Sequence, residues 1–360
     1  MHAAVPETLD YYRGRTVLLT GHTGFKGSWM AAWLKRLGAD VVGLALPPEP
    51  GCLFEAAGVA VGMTSVYGDI RETGPVNQVF TSAAPEIVFH FAAQPFVRRS
   101  YRQPLETYAT NVMGTAHVLE AARHSPSVRA VVVVTTDKCY ENRGWPWGYR
   151  EIDRLGGRDP YSSSKACAEL VTRAYRDSYA ADASAPAIAT VRAGNVIGGG
   201  DWGEERLVPD IFRALSSGQA VALRNPGAIR PWQHVLEPLR GYLLLGAHLG
   251  AGRREFADAW NFGPRSEDIT SVGKLAEAIL AEWGEGRLDV VGDAEGLHES
   301  SILMLDWSKA ADLLGWRPRL SLSDTIRLTV AGYRACLQSP ATTAQVMTTQ
   351  IADYQALLQA

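Results

Sequence analysis

The sequence has few cysteines, no long apolar run and no excess of charge of either sign. Its four cysteines, Cys52, Cys139, Cys167 and Cys336, are too few and too widely spaced for a disulfide-rich secreted domain or a zinc site. No stretch approaches the ~18 consecutive apolar residues of a membrane helix, and residues 1–15 lack the apolar core of a secretion signal. The net charge of −3 comes with no basic run or one-sided stripe. We therefore expect a cytoplasmic protein with reduced thiols and no bound metal, which binds neither nucleic acid nor a membrane.

What is present is an ordinary globular composition, with 46% hydrophobic and 20% charged residues. The first half of the chain alternates short apolar, β-branched runs with segments of helical periodicity. The runs predicted as strands are 16–20, 41–46, 64–67, 87–91, 131–136 and 188–192. The main predicted helices are 27–38, 104–124 and 161–179. Continuous apolar strands that alternate with helices predict an α/β fold with a doubly wound, Rossmann-type parallel sheet.

A glycine-rich turn directly follows the first predicted strand. Gly21, Gly24 and Gly27 are spaced GxxGxxG and precede a helix. Glycines at such a turn let the backbone approach a pyrophosphate, which then sits at the helix N-terminus; a tight turn without a ligand is the alternative. The acid that usually binds the ribose 2′-hydroxyl is missing from the tip of the second strand, so this position does not decide between NAD and NADP. Asp69 and Ile70, after the third strand, are placed to meet the adenine, although a turn or cap would explain Asp69 equally well.

The character of the sequence changes after Arg192. Residues 194–233 are rich in Gly, Pro, Trp and Arg and are predicted to be loop-rich, whereas residues 234–263 look like a return to the sheet. We therefore predict a dinucleotide-binding Rossmann domain of residues 1–193, to which 234–263 return, and a smaller C-terminal substrate-binding lobe of residues 194–360.

Tyr161 and Lys165 are placed for proton transfer. Asp159 is predicted to cap a helix whose first residue is Pro160, so the tyrosine and the lysine fall at i and i+4 on one helical face. We expect the lysine, together with a positive nicotinamide ring, to lower the phenol pKa toward neutrality. The phenolate can then accept a hydroxyl proton while hydride leaves the same carbon. A surface pair is the alternative, but the glycine-rich turn earlier in the chain favours dehydrogenase chemistry.

A second polar group follows the fifth predicted strand. Thr136, Asp137 and Lys138 lie at its carboxyl end, where side chains face the crevice of a doubly wound sheet. A single charged residue at this position could be a cap, but an adjacent acid and base indicate chemistry.

Several blocks of the chain resemble the nucleotide-sugar 4,6-dehydratases, a family of extended short-chain dehydrogenases/reductases. The blocks are GHTGFKG at 21–27, FAAQP at 91–95, TTDKCYEN at 135–142, DPYSSSKACAE at 159–169, RAGNVIGGGDW at 192–202 and RNPGAIRPWQHVLEPL at 224–239. The Asp-Lys pair is similar to the branch that acts on CDP-glucose, because the dTDP-glucose and GDP-mannose branches have a glutamate as base. The resemblance implies NAD as the cofactor, a nucleotide sugar, above all CDP-glucose, as the substrate, and a homodimer or larger homo-oligomer formed through helices 104–124 and 161–179.

The resemblance also assigns roles in the conversion of CDP-D-glucose to CDP-4-dehydro-6-deoxy-D-glucose with loss of water. Tyr161 would deprotonate the 4-hydroxyl while NAD⁺ takes the C4 hydride, and Thr136 would hold the same oxygen. Lys138 would then remove the C5 proton while Asp137 protonates the departing 6-hydroxyl, and hydride would return to C6. A lysine with a pKa of ~10.4 is rarely neutral at pH 7. Burial and neighbouring cations must therefore lower that pKa, or Glu141 shares the role of base.

The residues implied for binding lie in these blocks and in the segments between them. Those implied for the cofactor are Gly21, Thr23, Gly24, Phe25, Lys26, Gly27, Asp69, Ile70, Phe91, Ala92, Ala93, Asn111, Tyr161 and Lys165. Those implied for the substrate are Gln94, Ser100, Asn195, Leu207, Val208, Arg224 and Arg230, with Arg206 as a further candidate. Arg230 resembles the diphosphate-binding arginine of the family, and a guanidinium is well suited to bidentate phosphate contact.

Alternative functions share parts of this pattern. A nucleotide-sugar 4-epimerase has the Tyr161 and Lys165 pair and the glycine-rich turn but needs no Asp-Lys pair, because its 4-keto intermediate rotates and is reduced. A 4,6-dehydratase acting on another nucleotide sugar differs in base contacts that the sequence does not reveal. A non-catalytic dinucleotide sensor of the same fold would have no use for the tyrosine–lysine pair.

Overall fold

The computed structural model describes residues 9–292 and 302–359. Residues 1–8 of the predicted N-terminal segment, and residues 293–301 and 360 of the predicted C-terminal lobe, lie outside the described residues. The strands are β1 (Thr16–Thr20), β2 (Asp40–Ala45), β3 (Thr64–Tyr67), β4 (Ile87–His90), β5 (Ala130–Val134), β6 (Ala187–Ala193), β7 (Val196–Ile197), β8 (Val221–Leu223), β9 (Ile229–Arg230), β10 (Gln233–His234), β11 (Ala259–Phe262), β12 (Thr270–Ser271) and β13 (Leu288–Val290).

The helices are distributed along the whole described chain. They are α1 (Phe25–Arg36), α2 (Leu53–Ala56), α3 (Thr73–Ala83), α4 (Val97–Arg102), α5 (Pro104–Tyr108), α6 (Gly114–Arg123), α7 (Pro160–Ser178), α8 (Leu207–Ser216), α9 (Leu236–Gly250), α10 (Val272–Trp283), α11 (Ser308–Leu313), α12 (Leu322–Gln338) and α13 (Pro340–Leu357). A π-helical segment, Ala109–Met113, joins α5 to α6, so the helix predicted at 104–124 is present as one continuous helical stretch.

Seven strands form one parallel sheet in the order β11-β6-β5-β4-β1-β2-β3. The order reverses between β1 and β4, which places a crevice at the carboxyl ends of these strands. The predicted Rossmann-type sheet is confirmed, and each strand predicted in the first half is present with its ends shifted by no more than two residues.

Both faces of the sheet are apolar because helices cover both. In β1, the side chain of Leu18 belongs to the core formed with α3 and α6, whereas Val17 and Leu19 belong to the core formed with α1 and α9. All three side chains are fully buried. A strand buried on both faces needs apolar residues at every position, which is why these strands have continuous apolar runs rather than alternating ones.

One element of the C-terminal half differs from the prediction. Residues 194–233 are predicted to be loop-rich, but they contain α8, whose Val208, Ile211, Phe212 and Leu215 are buried in a core shared with α10 and α12. These apolar residues recur at helical spacing. The helix is short and lies between Gly- and Pro-rich flanks, so the composition of the segment conceals it.

Residues 234–263 contribute to the sheet layer. Helix α9 is buried along its whole length, and β11 pairs with β6 at the edge of the sheet. The division into two domains at residue 193 stays a prediction.

Within residues 9–292 and 302–359, no helix combines the length and apolar character needed to span a membrane.

The C-terminal helices contact the loop that follows β7. A Cβ at Gly332, on α12, would lie 2.6 Å from the Cα of Gly199 in that loop. Tyr333, the next residue of α12, donates a hydrogen bond to the carbonyl of Asp201. From the other side, Trp29 on α1 donates from Nε1 to the carbonyl of Gly199 at 3.2 Å. The loop is therefore held between the first helix of the sheet layer and the C-terminal helices.

Gly332→Ala tests this close approach. Alanine is the better helix former, but its Cβ has no space here, so we expect a loss of about 1–3 kcal/mol in the free energy of unfolding. Gly74→Ala is the matched control, because Gly74 also lies in a helix and a Cβ there would meet nothing within 4 Å. Urea unfolding of both variants measures the difference, and equal stability of the two would contradict the close contact.

Candidate active site

The crevice at the carboxyl ends of the sheet strands opens into a cleft of about 1190 Å³. Most of the residues predicted for the site line this cleft. They are Gly21, Thr23, Gly24, Phe25, Lys26, Gly27, Asp69, Ile70, Phe91, Ala92, Ala93, Gln94, Thr136, Asp137, Lys138, Tyr161, Lys165, Asn195, Leu207, Val208 and Arg230.

The glycine-rich turn forms the cleft wall next to α1. Gly21 has a positive φ of 76°, and a Cβ there would lie 2.7 Å from the backbone nitrogen of Ala92. A Cβ at Gly27 would lie 2.1 Å from the carbonyl oxygen of Gly21, so α1 can approach the turn only with glycine at this position. Gly24 is the N-cap of α1 and has no side chain to occupy its first N–H groups. The turn is therefore shaped to accept an anion such as a pyrophosphate.

Asp69 and Ile70 line the cleft as predicted, and an unexpected acid does so as well. Asp69 accepts hydrogen bonds from Arg71 at 2.8 Å (Nε) and 2.5 Å (Nη2), and this pairing lowers the pKa of its carboxyl group. Glu49 also lines the cleft. The usual dinucleotide-binding pattern has its acid at the tip of β2, and this chain has none there. Glu49 lies a few residues after the end of that strand, in a proline-containing loop, so the pattern does not predict it.

Helix α7 begins as its sequence predicts. Asp159 caps the first turn, and Pro160 is the first helical residue. Tyr161 and Lys165 are only 8% and 6% exposed and lie one helical turn apart on the cleft wall. The Nζ of Lys165 donates a hydrogen bond to the carbonyl of Val134, the last residue of β5, at 3.1 Å.

Burial dominates the electrostatics of this pair. It raises the pKa of Tyr161 to about 12, although a hydrogen bond to Thr136 and the charge of Arg206 act in the opposite direction. It lowers the pKa of Lys165 to about 8, against the charge of Glu169. The protein's own groups therefore do not bring the phenol to neutrality, and the expected lowering depends on the positive charge that a nicotinamide ring would add.

Residues 136–140, which we call the Asp-Lys turn, follow β5. Thr136 Oγ1 donates a hydrogen bond to Asp137 Oδ1 at 2.9 Å. Asp137 is 1% exposed, and its Oδ2 has no hydrogen-bond partner within the described part of the chain. A Cβ at Gly194 would lie 2.0 Å from that oxygen, so the glycine leaves space for the carboxyl group. Lys138 is half-buried on the cleft wall.

Glu141, the alternative base, also lines the cleft. Its carboxylate forms ion pairs with Arg154 at 3.0 Å and with Arg143 at 3.4 Å. Which of Lys138 and Glu141 removes the C5 proton stays a prediction of the sequence.

A further part of the cleft lining contains predicted substrate residues. Asn195 adopts a positive φ of 46°, and its buried Oδ1 has no hydrogen-bond partner among the residues that the structure describes. Asparagine adopts this left-handed conformation more readily than other non-glycine residues. Leu207 and Val208, in the first turn of α8, and Arg230, in β9, also line this part of the cleft.

Two further residues of this region have partners within the protein. Arg206 lines the cleft and forms an ion pair with Asp201 at 3.1 Å. Gln94 lines the cleft too, but its amide donates to Thr107 Oγ1 at 2.8 Å and accepts from the backbone nitrogen of Phe96 at 2.6 Å. Only part of its hydrogen-bonding capacity is therefore available to a ligand.

The predicted binding residues Asn111, Ser100 and Arg224 do not line the cleft. The amide of Asn111 bonds the backbone of Gln94, at 2.8 Å to its nitrogen and 3.1 Å to its oxygen, so it shapes the loop after β4. Ser100 Oγ accepts from the backbone nitrogen of Tyr161 at 3.1 Å and supports the start of α7. Arg224 is exposed to solvent. A resemblance to a family identifies such residues but does not show whether they face a ligand or the protein.

Some cleft residues have no sequence signal of their own. Arg98, in α4, and Arg158, in the loop before α7, belong to no spacing pattern or quoted block, and Trp232 lies in the block at 224–239 without a role assigned to it. Trp232 is 5% exposed, and its Nε1 has no hydrogen-bond partner in the described ranges. Among the described residues no cluster of His, Cys, Asp and Glu has the arrangement of a metal site.

A Rossmann-type sheet with a glycine-rich turn and a buried tyrosine–lysine pair on one cleft defines an extended short-chain dehydrogenase/reductase. The chain belongs to the GDP-mannose 4,6-dehydratase family, whose model matches residues 18–329.

Individual relatives agree with this assignment. The CDP-glucose 4,6-dehydratase of Salmonella typhimurium is 47% identical over 334 residues, which cover 91% of this chain and 93% of the relative. A dTDP-glucose 4,6-dehydratase of Streptomyces antibioticus is 33% identical over 76% of each chain. The crystal structure of a dTDP-glucose 4,6-dehydratase from Streptomyces venezuelae with NAD bound superimposes with a TM-score of 0.76 at 27% identity and covers 89% of this chain and 97% of that one.

Proposed function

We propose that the protein is a CDP-glucose 4,6-dehydratase, which converts CDP-D-glucose to CDP-4-dehydro-6-deoxy-D-glucose with loss of water. The observation that carries the proposal is the presence of the Tyr161–Lys165 pair and the Asp-Lys turn on the walls of one cleft. The first group suits oxidation of a hydroxyl, and the second suits an elimination. The preference for CDP-glucose rests on the relative of that name, which is 47% identical over 91% of the chain.

The glycine-rich turn fits the cofactor that we assign, NAD. Gly21 and Gly27 each lie where a Cβ would collide with backbone, and the N-terminus of α1 lies beside them to accept the pyrophosphate. When bound, NAD accepts a hydride from C4 of the hexose and later returns it to C6. Tyr161 and Lys165 border the same cleft, so the hexose C4 can be oxidised beside them.

Tyr161 is the proposed base for the 4-hydroxyl group. Its pKa of about 12 keeps the phenol protonated at neutral pH until positive charge accumulates nearby. The hydrogen bond to Thr136 and the charge of Arg206 already favour the phenolate. Lys165, one helical turn away, adds a further positive charge to this wall when it is protonated. We propose that Thr136 also holds the oxygen from which Tyr161 takes the proton.

The Asp-Lys turn is the proposed site of water loss. Lys138 would remove the proton from C5, which the 4-keto group has acidified, and Asp137 would protonate the departing 6-hydroxyl. The buried Oδ2 of Asp137, which has no partner in the described ranges, is the oxygen that we propose for this transfer. Gly194 leaves space for that oxygen, because any side chain there would occupy it.

The nucleotide portion is proposed to lie along the part of the cleft lining that contains Asn195 and Arg230. Arg230 and Arg206 supply guanidinium groups for the diphosphate, and the unpartnered Oδ1 of Asn195, buried within the described structure, is available to a donor on the ligand. Leu207 and Val208 would contact the nucleotide with apolar surface. These residues all belong to the segment 194–360 that is predicted to form the substrate-binding lobe.

A substrate comparison tests reaction and nucleotide together. The protein is incubated with NAD and, separately, with CDP-glucose, dTDP-glucose, UDP-glucose and GDP-mannose, and products are identified by mass spectrometry. We expect loss of one water from CDP-glucose alone. Products of unchanged mass that are C4 epimers would replace this proposal with a 4-epimerase, and water loss from a different substrate would change the nucleotide assignment.

Two variants separate oxidation from elimination. Tyr161→Phe removes the proposed base for the 4-hydroxyl, so C4 oxidation should fall by about 10²–10⁴-fold. Lys138→Ala should leave C4 oxidation intact and block water loss, so reduced cofactor should accumulate on the enzyme and be visible by its absorbance. Lys274→Ala, an exposed lysine on α10 away from the cleft, is the matched control. Full turnover by Lys138→Ala would show that another group removes the C5 proton.

We further propose that the protein forms a homodimer through α5, α6 and α7 and functions in the cytoplasm. Leu105, Met113 and Leu170, on this group of neighbouring helical segments, are 83%, 52% and 55% exposed. Exposed apolar side chains that cluster on adjacent helices indicate a protein contact. The four cysteines are unpaired, as expected in a reducing compartment.

Leu105→Arg tests the homodimer. A charge at the centre of an apolar contact should shift the protein from dimer to monomer, measured by sedimentation equilibrium. Ile152→Arg is the matched control, because Ile152 is 85% exposed but lies outside these helices. A wild-type protein that sediments as a monomer, or a Leu105→Arg variant that stays dimeric, would contradict the proposed interface.

A further inference from the structure

A buried ion pair that the proposed mechanism does not use lies behind the cleft wall. Glu169, on α7, and Arg192, on β6, are each 3% exposed, and neither lines the cleft. Arg192 donates to the two carboxylate oxygens of Glu169 at 2.8 Å each. Burial would raise the pKa of Glu169, but the charge and hydrogen bonds of Arg192 outweigh it, so the pKa is lowered. Glu169 is therefore a buried negative charge at neutral pH.

Two hydroxyl groups donate further hydrogen bonds to this carboxylate. Thr135 Oγ1 donates to Glu169 at 2.5 Å, and Thr190 Oγ1 donates to it at 2.7 Å. Thr135 immediately precedes the Asp-Lys turn, so the carboxylate holds the beginning of that turn.

The other side of Arg192 reaches the end of the same turn. Its Nη1 donates to the hydroxyl of Tyr140 at 2.6 Å, and the guanidinium lies over the Tyr140 ring at 4.8 Å from its centroid. The Tyr140 hydroxyl in turn donates to Asn261 Oδ1, on β11, at 2.8 Å. One hydrogen-bond network thus connects α7, β6 and β11 with both ends of the Asp-Lys turn.

The position of Glu169 on α7 links this network to the proposed catalytic pair. Tyr161, Lys165 and Glu169 follow one another at intervals of four residues, so they lie along one face of the helix. Lys165 bonds the carbonyl of Val134 at the end of β5. The helix is therefore tied to β5 and the segment after it at two successive turns.

Hydrophobic packing alone does not explain such a pair. The desolvation of two charges largely cancels their attraction, and apolar residues of similar volume often stabilise a fold equally well. An ion pair with this many hydrogen bonds supplies fixed directions and a fixed charge, which apolar side chains lack.

We propose that Glu169 and Arg192 position the active site: they fix α7 against the Asp-Lys turn, and the Glu169 carboxylate stabilises the charged form of Lys165. This inference rests on the proposed dehydratase function. Glu169 and Arg192 are positioning residues in it, because neither reaches the cleft.

The groups around Lys165 show why this carboxylate matters. Burial lowers the pKa of Lys165 to about 8, and Glu169 is the principal opposing charge. The thiol of Cys139, on the Asp-Lys turn, is a further titratable neighbour, and burial raises its pKa, so it stays uncharged where Lys165 titrates. Lys26 on α1 and His90 on β4 are the other titratable groups coupled to it, and burial lowers the pKa of each, to about 8 and about 3. Lys165 is charged below its own pKa and loses its charge as the pH rises through it. Removal of the Glu169 charge should therefore move this loss to lower pH.

Glu169→Gln keeps most of the shape of the side chain and removes its charge. We expect the alkaline limb of the kcat/KM profile for CDP-glucose to move to lower pH by about one unit. The pH above which NAD binding weakens, followed by quenching of tryptophan fluorescence, should move in the same direction. A folded Glu169→Gln protein with both profiles and kcat as in the wild type would overturn the proposal.

Glu169→Asp tests the positioning role separately. It keeps the charge but withdraws the carboxylate from Thr135 and Thr190, so kcat should fall by about tenfold while the alkaline limb stays in place. This variant also decides the question if Glu169→Gln does not fold. A wild-type kcat in Glu169→Asp would then refute the inference.

Glu237→Gln is the matched control for the loss of a buried carboxylate. Glu237 is 1% exposed, accepts hydrogen bonds from the backbone nitrogens of Arg319 and Leu320 at 2.7 and 2.6 Å, and does not line the cleft. It should lose thermal stability without a change in either pH profile. An equal pH shift in this control would show that general destabilisation, and not the charge beside Lys165, causes the effect.

The two readouts separate this inference from the proposed function. If the wild-type protein binds NAD but does not turn over CDP-glucose, the proposed function fails. The pH dependence of NAD binding in Glu169→Gln still decides the effect of Glu169 on Lys165 in that case.

Discussion

In a parallel sheet the carboxyl ends of all strands lie on the same side of the molecule. Because helices cover both faces of this sheet, the loops that follow those carboxyl ends must carry the chemistry of the protein. In this chain β1 ends in the glycine-rich turn, β5 ends in the Asp-Lys turn, and β6 is followed by Asn195. The order reverses between β1 and β4, so the loops diverge there and leave a cleft of about 1190 Å³ instead of closing over the strands. Parallel pairing thus brings together groups that are more than a hundred residues apart in sequence.

Burial is the second constraint, because it sets the charge states in this cleft. It raises the pKa of Tyr161 to about 12 and lowers the pKa of Lys165 and Lys26 to about 8. A tyrosine and a lysine in this state respond strongly to any charge brought near them, since electrostatic interactions are stronger where water is excluded. The Glu169 carboxylate behind the wall is one such charge that belongs to the protein itself, and its pair with Arg192 is held by threonine and tyrosine hydroxyls.

Some residues of the site could be predicted from the sequence, and others could not. Tyr161 and Lys165 could be predicted because a cap, a first-turn proline and a four-residue spacing are local properties of one helix. Asn111 and Ser100 were predicted from the resemblance alone, and their side chains bond the backbone of Gln94 and Tyr161 and do not reach the cleft. Whether a polar side chain faces a ligand or a neighbouring loop depends on how separate segments are packed, which no local pattern contains. Glu49 lines the cleft for the same reason, without any sequence signal.

By itself the sequence determined the alternation of strands and helices, the parallel sheet, the glycine-rich turn and the order of groups along α7. These follow from periodicity and from backbone preferences of glycine and proline, which act over a few residues. Only the tertiary structure decided the pKa of Tyr161, the engagement of Glu141 in ion pairs, the presence of α8 within a Gly- and Pro-rich segment, and the burial of Glu169 against Arg192. The physical reason is that desolvation and charge pairing depend on which distant segments surround a group, and those neighbours exist only once the chain has folded.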